Sequence, residues 1–185
     1  MFYEELNSIL PYAKPEELEY LRKEAFELKS EQEIVVIGGG PCIMGIAMLE
    51  QHPNSPQCSV IDINSLEYSK AHFQAAGIWR IPNTNIQLVQ GDSSHVGFEW
   101  TKKIDLLIVD GDHSYSGVSK DIRAWWPHVV IGGLVFFHDY LQREDGFNGT
   151  GEWEKSDVAT AIEDCRDSSW VLVKQVGISV VYMRV

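Results

Sequence analysis

Ile34-Val35-Val36-Ile37-Gly38-Gly39-Gly40-Pro41 is the stretch that decides how this chain folds. Four consecutive aliphatic residues leave no polar face, which is the pattern of a parallel strand covered on both sides. The glycines end it in a tight turn, and the apolar pattern that resumes to Leu49 predicts a helix. Outward from this unit the pattern repeats. Ser59-Val60-Ile61 reads as a strand ending at Asp62, and residues 65–76 read as a helix stopped by Gly77. Ile86 to Val89 is a third strand ending near Gly91-Asp92, and Ile104 to Val109 a fourth ending at Asp110. A helix over 117–126 precedes Pro127, and Leu134 to Phe137 is a fifth strand ending at His138-Asp139. Residues 157–164 read as a helix, followed by strands over 171–173 and 179–182 joined near Gly177. Upstream, Leu18, Leu21, Ala25 and Leu28 lie at helical spacing within 15–29. Alternating strands and helices predict an α/β fold with a doubly wound, mostly parallel seven-stranded sheet. The last two strands are too close in sequence for a helical crossover, so the C-terminal strand is expected to be antiparallel.

The chain has 185 residues, with 15 Lys+Arg against 27 Asp+Glu and a formal net charge of −12. That length suits one domain over 1–185, with 1–30 as an N-terminal helical extension and 140–155 as a loop able to close over a ligand. The acidic balance argues against a nucleic-acid partner, whose affinity comes from Lys and Arg on phosphates. It also argues against docking on an anionic membrane surface. A small molecule is the expected partner. Cys42, Cys58 and Cys165 form no CxxC pair, which fits neither a disulfide framework nor a zinc site. No leader-like segment or 18-residue apolar run is present, so the expected location is cytoplasmic, and the sequon Asn148-Gly149-Thr150 is read as chance. Trp125 and Trp126 are expected in the core or at a subunit contact, the latter compatible with a homodimer.

The polar residues at the predicted strand ends carry the functional reading. In open α/β sheets, ligands bind outside the carboxyl ends of the strands. Gly38 to Gly40, Asp62, Asp92, Asp110, His138 and Asp139 all fall at such ends. The glycine turn begins a G-x-G-x-x-G pattern but has Ile43 in place of the third glycine, which argues against a diphosphate. Asp62 fits the acidic residue that hydrogen-bonds ribose hydroxyls.

These motifs, together with Gln90-Gly-Asp-Ser, Asp110-Gly-Asp-His-Ser-Tyr and Gly132-Gly-Leu-Val-Phe-Phe-His-Asp-Tyr140, resemble class I S-adenosylmethionine-dependent methyltransferases. The resemblance runs from about Ile34 to the C-terminus. It is closest to the small-molecule O-methyltransferase branch that includes relatives of the macrocin and rhamnosyl O-methyltransferases. It implies a Rossmann-like domain binding S-adenosylmethionine. Gly38 and Gly40 would then border the methionine part, Asp62 the ribose, and Asp92 the adenine amino group with Ser93 close by; Asp110 would complete the set. Val36 stands where the family usually has an acid, and Cys42 where a small residue is usual.

Asp110 and Asp139 end strands one βαβ unit apart. On neighbouring strands about 4.8 Å apart, their carboxylates would repel unless a cation relieved them. Mg²⁺ or another divalent cation suits these oxygen ligands, and His138 as a third ligand shifts preference toward Mn²⁺, Fe²⁺ or Zn²⁺. Methyl transfer to a hydroxyl also needs a base, for which His113 is the first candidate and Asp112 the second. The expected activity is metal-assisted O-methylation of a small hydroxylated acceptor. Two alternatives remain open: an NAD(P)- or FAD-dependent oxidoreductase, from the glycine turn, and an inactive nucleoside-cofactor-binding module, from Val36 and Cys42.

Overall fold

Strand β1 (Glu33–Ile37) is buried along its whole length and lies inside the sheet, with a parallel strand on each side. The computed structural model describes residues 4–5, 13–38, 43–50, 52–54, 56–64, 66–77, 85–143 and 153–185. β2 (Gln57–Asp62) and β3 (Asn85–Gln90) follow on one side of β1, and β4 (Ile104–Val109) and β5 (Val129–Phe137) on the other, all parallel. The last hairpin is β8 (Trp170–Val176) and β9 (Ser179–Arg184), turning at Gly177 with φ 58°. β9 inserts between β5 and β8 and is antiparallel to both, so the seven-stranded order is β3-β2-β1-β4-β5-β9-β8. The doubly wound sheet with an antiparallel final strand is therefore as the sequence predicts.

Period-2 alternation along β1 sorts the two layers. Ile34 and Val36 point into a core formed with α1 (Pro15–Phe26), α2 (Ile43–Leu49) and Phe73 of α3 (Glu67–Ala75). Val35 and Ile37 point into the opposite core, with α5 (Tyr115–Trp125), α6 (Asp157–Cys165) and Val96 of α4 (Ser93–Phe98). Trp125 is fully buried and Trp126 nearly so, stacking at 4.4 Å on Trp170, which places both in the core.

Three features depart from the sequence reading. β5 starts at Val129 rather than Leu134, running through Gly132-Gly133 with a register shift opposite β4. α4 was not anticipated: it has six residues, too few for a periodicity to show. Gly97 makes its packing possible, because a Cβ there would lie 2.7 Å from Trp125 Nε1. Within the predicted 140–155 loop, β6 (Leu141–Arg143) pairs with β7 (Trp153–Lys155) in a two-stranded ladder, while 144–152 lie outside the described residues.

Much of the acidity at the amino edge of the sheet is structural. Buried Glu33 accepts from Ser59 Oγ at 2.6 Å and pairs with Lys102 at 3.0 Å. Asp105 accepts from Glu33 N and Gln32 Nε2. No described helix is long and apolar enough to cross a membrane.

Candidate active site

At the carboxyl edge the ladder continues one residue past β1, β3, β4 and β5. Gly38 N donates to Ile61 O, Asp110 N to Ile37 O, His138 N to Val109 O and Gly91 N to Asp62 O. Asp62, Asp110 and His138 are thereby aligned along one rim. Gly38 has φ 83°, and a Cβ on it would lie 2.0 Å from the Asp110 carbonyl oxygen. Only glycine fits this close crossing of the β1 and β4 ends.

Above the rim is a pocket of about 520 Å³, a size suited to a small-molecule cofactor. Gly38, Asp62, Asp92, Ser93, Asp110, Asp112 and His113 line it, all expected from the sequence. Ile37, Met44, Ile61 and Ile63 supply apolar wall. Gly40 lies outside the described residues. Ile43, at the position of the missing third glycine, is buried against the core and lines the pocket.

The carboxylates on the β2–β3 side are held by backbone and hydroxyl donors. Asp62 Oδ1 accepts from Asn64 N at 2.8 Å. Asp92 caps α4, accepting from His95 N at 3.1 Å and Ser94 Oγ at 2.6 Å, and these bonds lower its pKa. Beneath them lies Asp121, a buried carboxylate that sequence reasoning missed, 2.5 Å from Ser93 Oγ. Burial pushes Asp121 up to about 6; the Ser93 hydroxyl opposes the rise, and nearby Asp92 and Asp112 add to it.

The β4–β5 side is built from alternating carboxylates and imidazoles. His113 Nε2 is hydrogen-bonded to Asp110 Oδ1 at 3.2 Å, and its Nδ1 lies 3.1 Å from Asp139 Oδ2. His138 Nδ1 lies 2.9 Å from the same Asp110 oxygen and 3.5 Å from Asp139 Oδ1. On its other side, His138 Nε2 lies 3.5 Å from Glu17 Oε2. His138 is 5% exposed, yet neither ring nitrogen makes an aligned hydrogen bond. Burial disfavours its charge, but the Asp110, Glu17 and Asp139 carboxylates outweigh this and push its pKa up to about 10. His113 is also raised, by its bond to Asp110 against partial burial. Burial works to raise Asp110, but the two imidazoles hold it below the usual carboxylate range. Asp139, where burial prevails over the imidazoles, is raised.

Asp139 is held in place by its backbone, which has the left-handed φ of 54°, uncommon for a residue with a side chain. Ser156, the N-cap of α6, secures this turn by donating Oγ–H to Asp139 O at 2.6 Å. The atoms that converge at ligand distance are those of Asp110, His113 and His138, all within 4.8 Å of one another. The sequence grouped Asp110 and His138 with Asp139; in the structure His113 Nε2 joins Asp110 and His138, while Asp139 lies against His113 Nδ1 at 3.1 Å and His138 Nδ1 at 3.5 Å. His138 Nδ1 and Asp110 Oδ1 face each other at 2.9 Å, a nitrogen and an anionic oxygen between which a divalent cation could take the place of the imidazole's proton. One carboxylate with two imidazoles suits Mn²⁺, Fe²⁺ or Zn²⁺ better than Mg²⁺.

Three of the four remaining histidines meet backbone carbonyls. His52 Nε2 meets Ala25 O at 2.6 Å, His128 Nε2 meets Gly97 O at 2.9 Å, and His72 Nδ1 meets Tyr68 O at 2.9 Å.

The doubly wound sheet and the acidic pocket at its carboxyl rim define a nucleoside-cofactor-binding α/β domain. Residues 35–140, more than half of the chain, match the model of a family described as a methyltransferase domain, and the chain belongs to that family. Solved structures share the fold at low identity. A Corynebacterium glutamicum protein superposes with a TM-score of 0.70 at 16% identity, covering 98% of this chain and 87% of that one. A Staphylococcus aureus protein described as a caffeoyl-CoA O-methyltransferase gives 0.69 at 11% identity, covering 98% and 90%. A Thiobacillus denitrificans S-adenosylmethionine-dependent methyltransferase in complex with S-adenosyl-L-homocysteine gives 0.52 at 19% identity, covering 68% and 48%. Among curated sequences, 51 residues are 43% identical to part of an uncharacterised Sinorhizobium fredii protein, covering 28% of this chain and 5% of that protein.

Proposed function

We propose that the protein transfers a methyl group from S-adenosylmethionine to a hydroxyl of a small molecule, with a divalent cation at the β4–β5 rim. The convergence of Asp110, His113 and His138 beside the pocket carries this reading. Family membership and an O-methyltransferase among the structural neighbours support it. Neither favours the dinucleotide oxidoreductase alternative, and the bulky Ile43 speaks against a diphosphate.

The cofactor supplies an electrophilic methyl on a sulfonium, and the pocket's carboxylates favour binding of that positive charge over the neutral product, an effect on affinity rather than on the transfer step. Asp62 would hold the ribose hydroxyls, while Asp92 and Ser93 would face the adenine. Bound to Asp110, His113 and His138, a divalent cation would lower the pKa of the acceptor hydroxyl. Asp139 then orients the His113 ring through Nδ1. Because a ligating nitrogen cannot also take a proton, Asp112 becomes the proton acceptor. Its carboxylate is exposed at the pocket and accepts from Ser114 N at 2.9 Å, which keeps it below the usual carboxylate range. Such a weak base suffices only for a hydroxyl that is already acidified.

His113→Ala decides between ligand and base. As a ligand, its loss removes Zn²⁺ binding in a calorimetric titration together with turnover over a panel of sugar and phenolic acceptors. As the base, its loss removes turnover with Zn²⁺ affinity intact. Failure of the wild type to bind S-adenosylhomocysteine would overturn the methyltransferase reading itself.

A further inference from the structure

The helix α1 lies outside the residues matched by the family model, yet it sends one carboxylate into the site. Glu17 is fully buried. Its Oε1 accepts from Ile178 N at 3.0 Å and from Ser179 Oγ at 2.7 Å, across the β8–β9 turn. Its Oε2 accepts from Lys14 N at 2.6 Å and faces His138 Nε2 at 3.5 Å. A buried carboxylate costs several kcal/mol in desolvation, and the three donors Lys14 N, Ile178 N and Ser179 Oγ offset part of that cost. What the negative charge adds is its position behind the imidazole, on the side away from Asp110.

We propose that Glu17 is a positioning residue of the active site, which orients the His138 ring so that Nε2 keeps its proton and Nδ1 is presented to Asp110 and to a bound cation. This rests on the reading that Asp110, His113 and His138 hold that cation. Turned about its own axis, the ring could otherwise present either nitrogen to the rim. With a cation between Nδ1 and Asp110, the carboxylate behind the ring breaks this degeneracy, because a deprotonated Nε2 would face a negative oxygen at 3.5 Å with no positive charge between them. A histidine ligand commonly donates its second N–H to a carboxylate, which fixes the tautomer and makes the ligating nitrogen more basic. The two oxygens of Glu17 divide the work: Oε1 ties α1 to the β8–β9 turn, and Oε2, held by Lys14 N, looks toward the site.

That division supplies the control. Ser179→Ala removes one bond to Oε1 and leaves Oε2 and His138 untouched. Zn²⁺ titrations of the wild type, Glu17→Gln, Ser179→Ala and Asp110→Asn, each with its melting temperature and S-adenosylhomocysteine affinity, separate positioning from packing. Glu17→Gln is expected to weaken Zn²⁺ binding by about 10–100-fold, with S-adenosylhomocysteine affinity within about twofold of the wild type. Ser179→Ala is expected to lower the melting temperature and leave Zn²⁺ affinity unchanged. Equal Zn²⁺ affinity in the wild type and Glu17→Gln, with binding lost in Asp110→Asn, overturns the role of Glu17 alone. A wild type that binds no Zn²⁺, or binds it unaffected by Asp110→Asn, overturns the cation reading and this inference with it. A measurement on the unmutated protein guards against misfolded variants: nitrogen-15 NMR of the Zn²⁺-loaded wild type should show His138 protonated at Nε2 and metal-bound at Nδ1. Zn²⁺ at Nε2 would overturn the proposal.

Discussion

The two halves of the carboxyl rim hold the same kind of side chain in different ways. On the β2–β3 side, Asp62 and Asp92 rest on backbone N–H groups and hydroxyls, and both line the pocket. On the β4–β5 side, Asp110 and Asp139 are interleaved with His113 and His138, with Glu17 behind. Backbone donors cannot leave, so the first arrangement offers fixed negative charge to a ligand that brings its own donors. Imidazoles can exchange a proton for a metal, so the second can change its charge when a ligand arrives. Asp121 belongs to neither half: with one hydroxyl as its partner, burial decides its state.

The largest expected effect breaks both halves together. Gly38→Ala forces a Cβ against the Asp110 carbonyl at a left-handed backbone position. It should destabilise the protein by more than about 4 kcal/mol, read as loss of a cooperative melting transition. Next, Asp110→Asn removes the anion shared by both imidazoles and should lower turnover by about 10³-fold. S-adenosylhomocysteine affinity, measured by calorimetry, should fall far less, and a parallel collapse of both would erase the distinction between the halves.

Asp121 tests the role of burial through pH. Its folded pKa, about 6, lies above the ordinary 3.8, so its contribution to stability is complete below about pH 3.8 and is lost as pH rises through 6. Asp121→Asn should therefore gain on the wild type between pH 4 and pH 8, by up to about 3 kcal/mol. Denaturant unfolding at the two pH values measures this, and a pH-independent difference would contradict it. The smallest effect sharpens the contrast from the cofactor side. Asp62→Asn should weaken S-adenosylhomocysteine binding by about 10-fold, a loss of about 1.4 kcal/mol, and leave Zn²⁺ affinity unchanged.

The sheet was legible because its strands are aliphatic runs with no competing helical period, Ile34–Ile37 and Ile104–Val109 above all. Most of the pocket followed, since strand-end position is a sequence property once the strands are known. Short α4 was not legible, because Ser93–Phe98 carries too few residues for a pattern and depends on Gly97 meeting Trp125. The place of His113 beside Asp110 and His138 depends on how a turn folds back, which spacing does not specify. Glu17 was hidden between Glu16 and Glu19, identical side chains within the same helical segment. One signal was available: Glu17 precedes Leu21 by one helical turn, on the stripe that packs inward.

That buried carboxylate has a practical consequence for anyone shortening this protein. A version starting near Glu33 would keep every strand of the main sheet and all of residues 35–140. It would nevertheless leave Ile178 N, Ser179 Oγ and the rear of His138 facing an opened groove with no counter-charge. The smallest transplantable unit is therefore set by chemistry rather than by topology, and it includes the first helix.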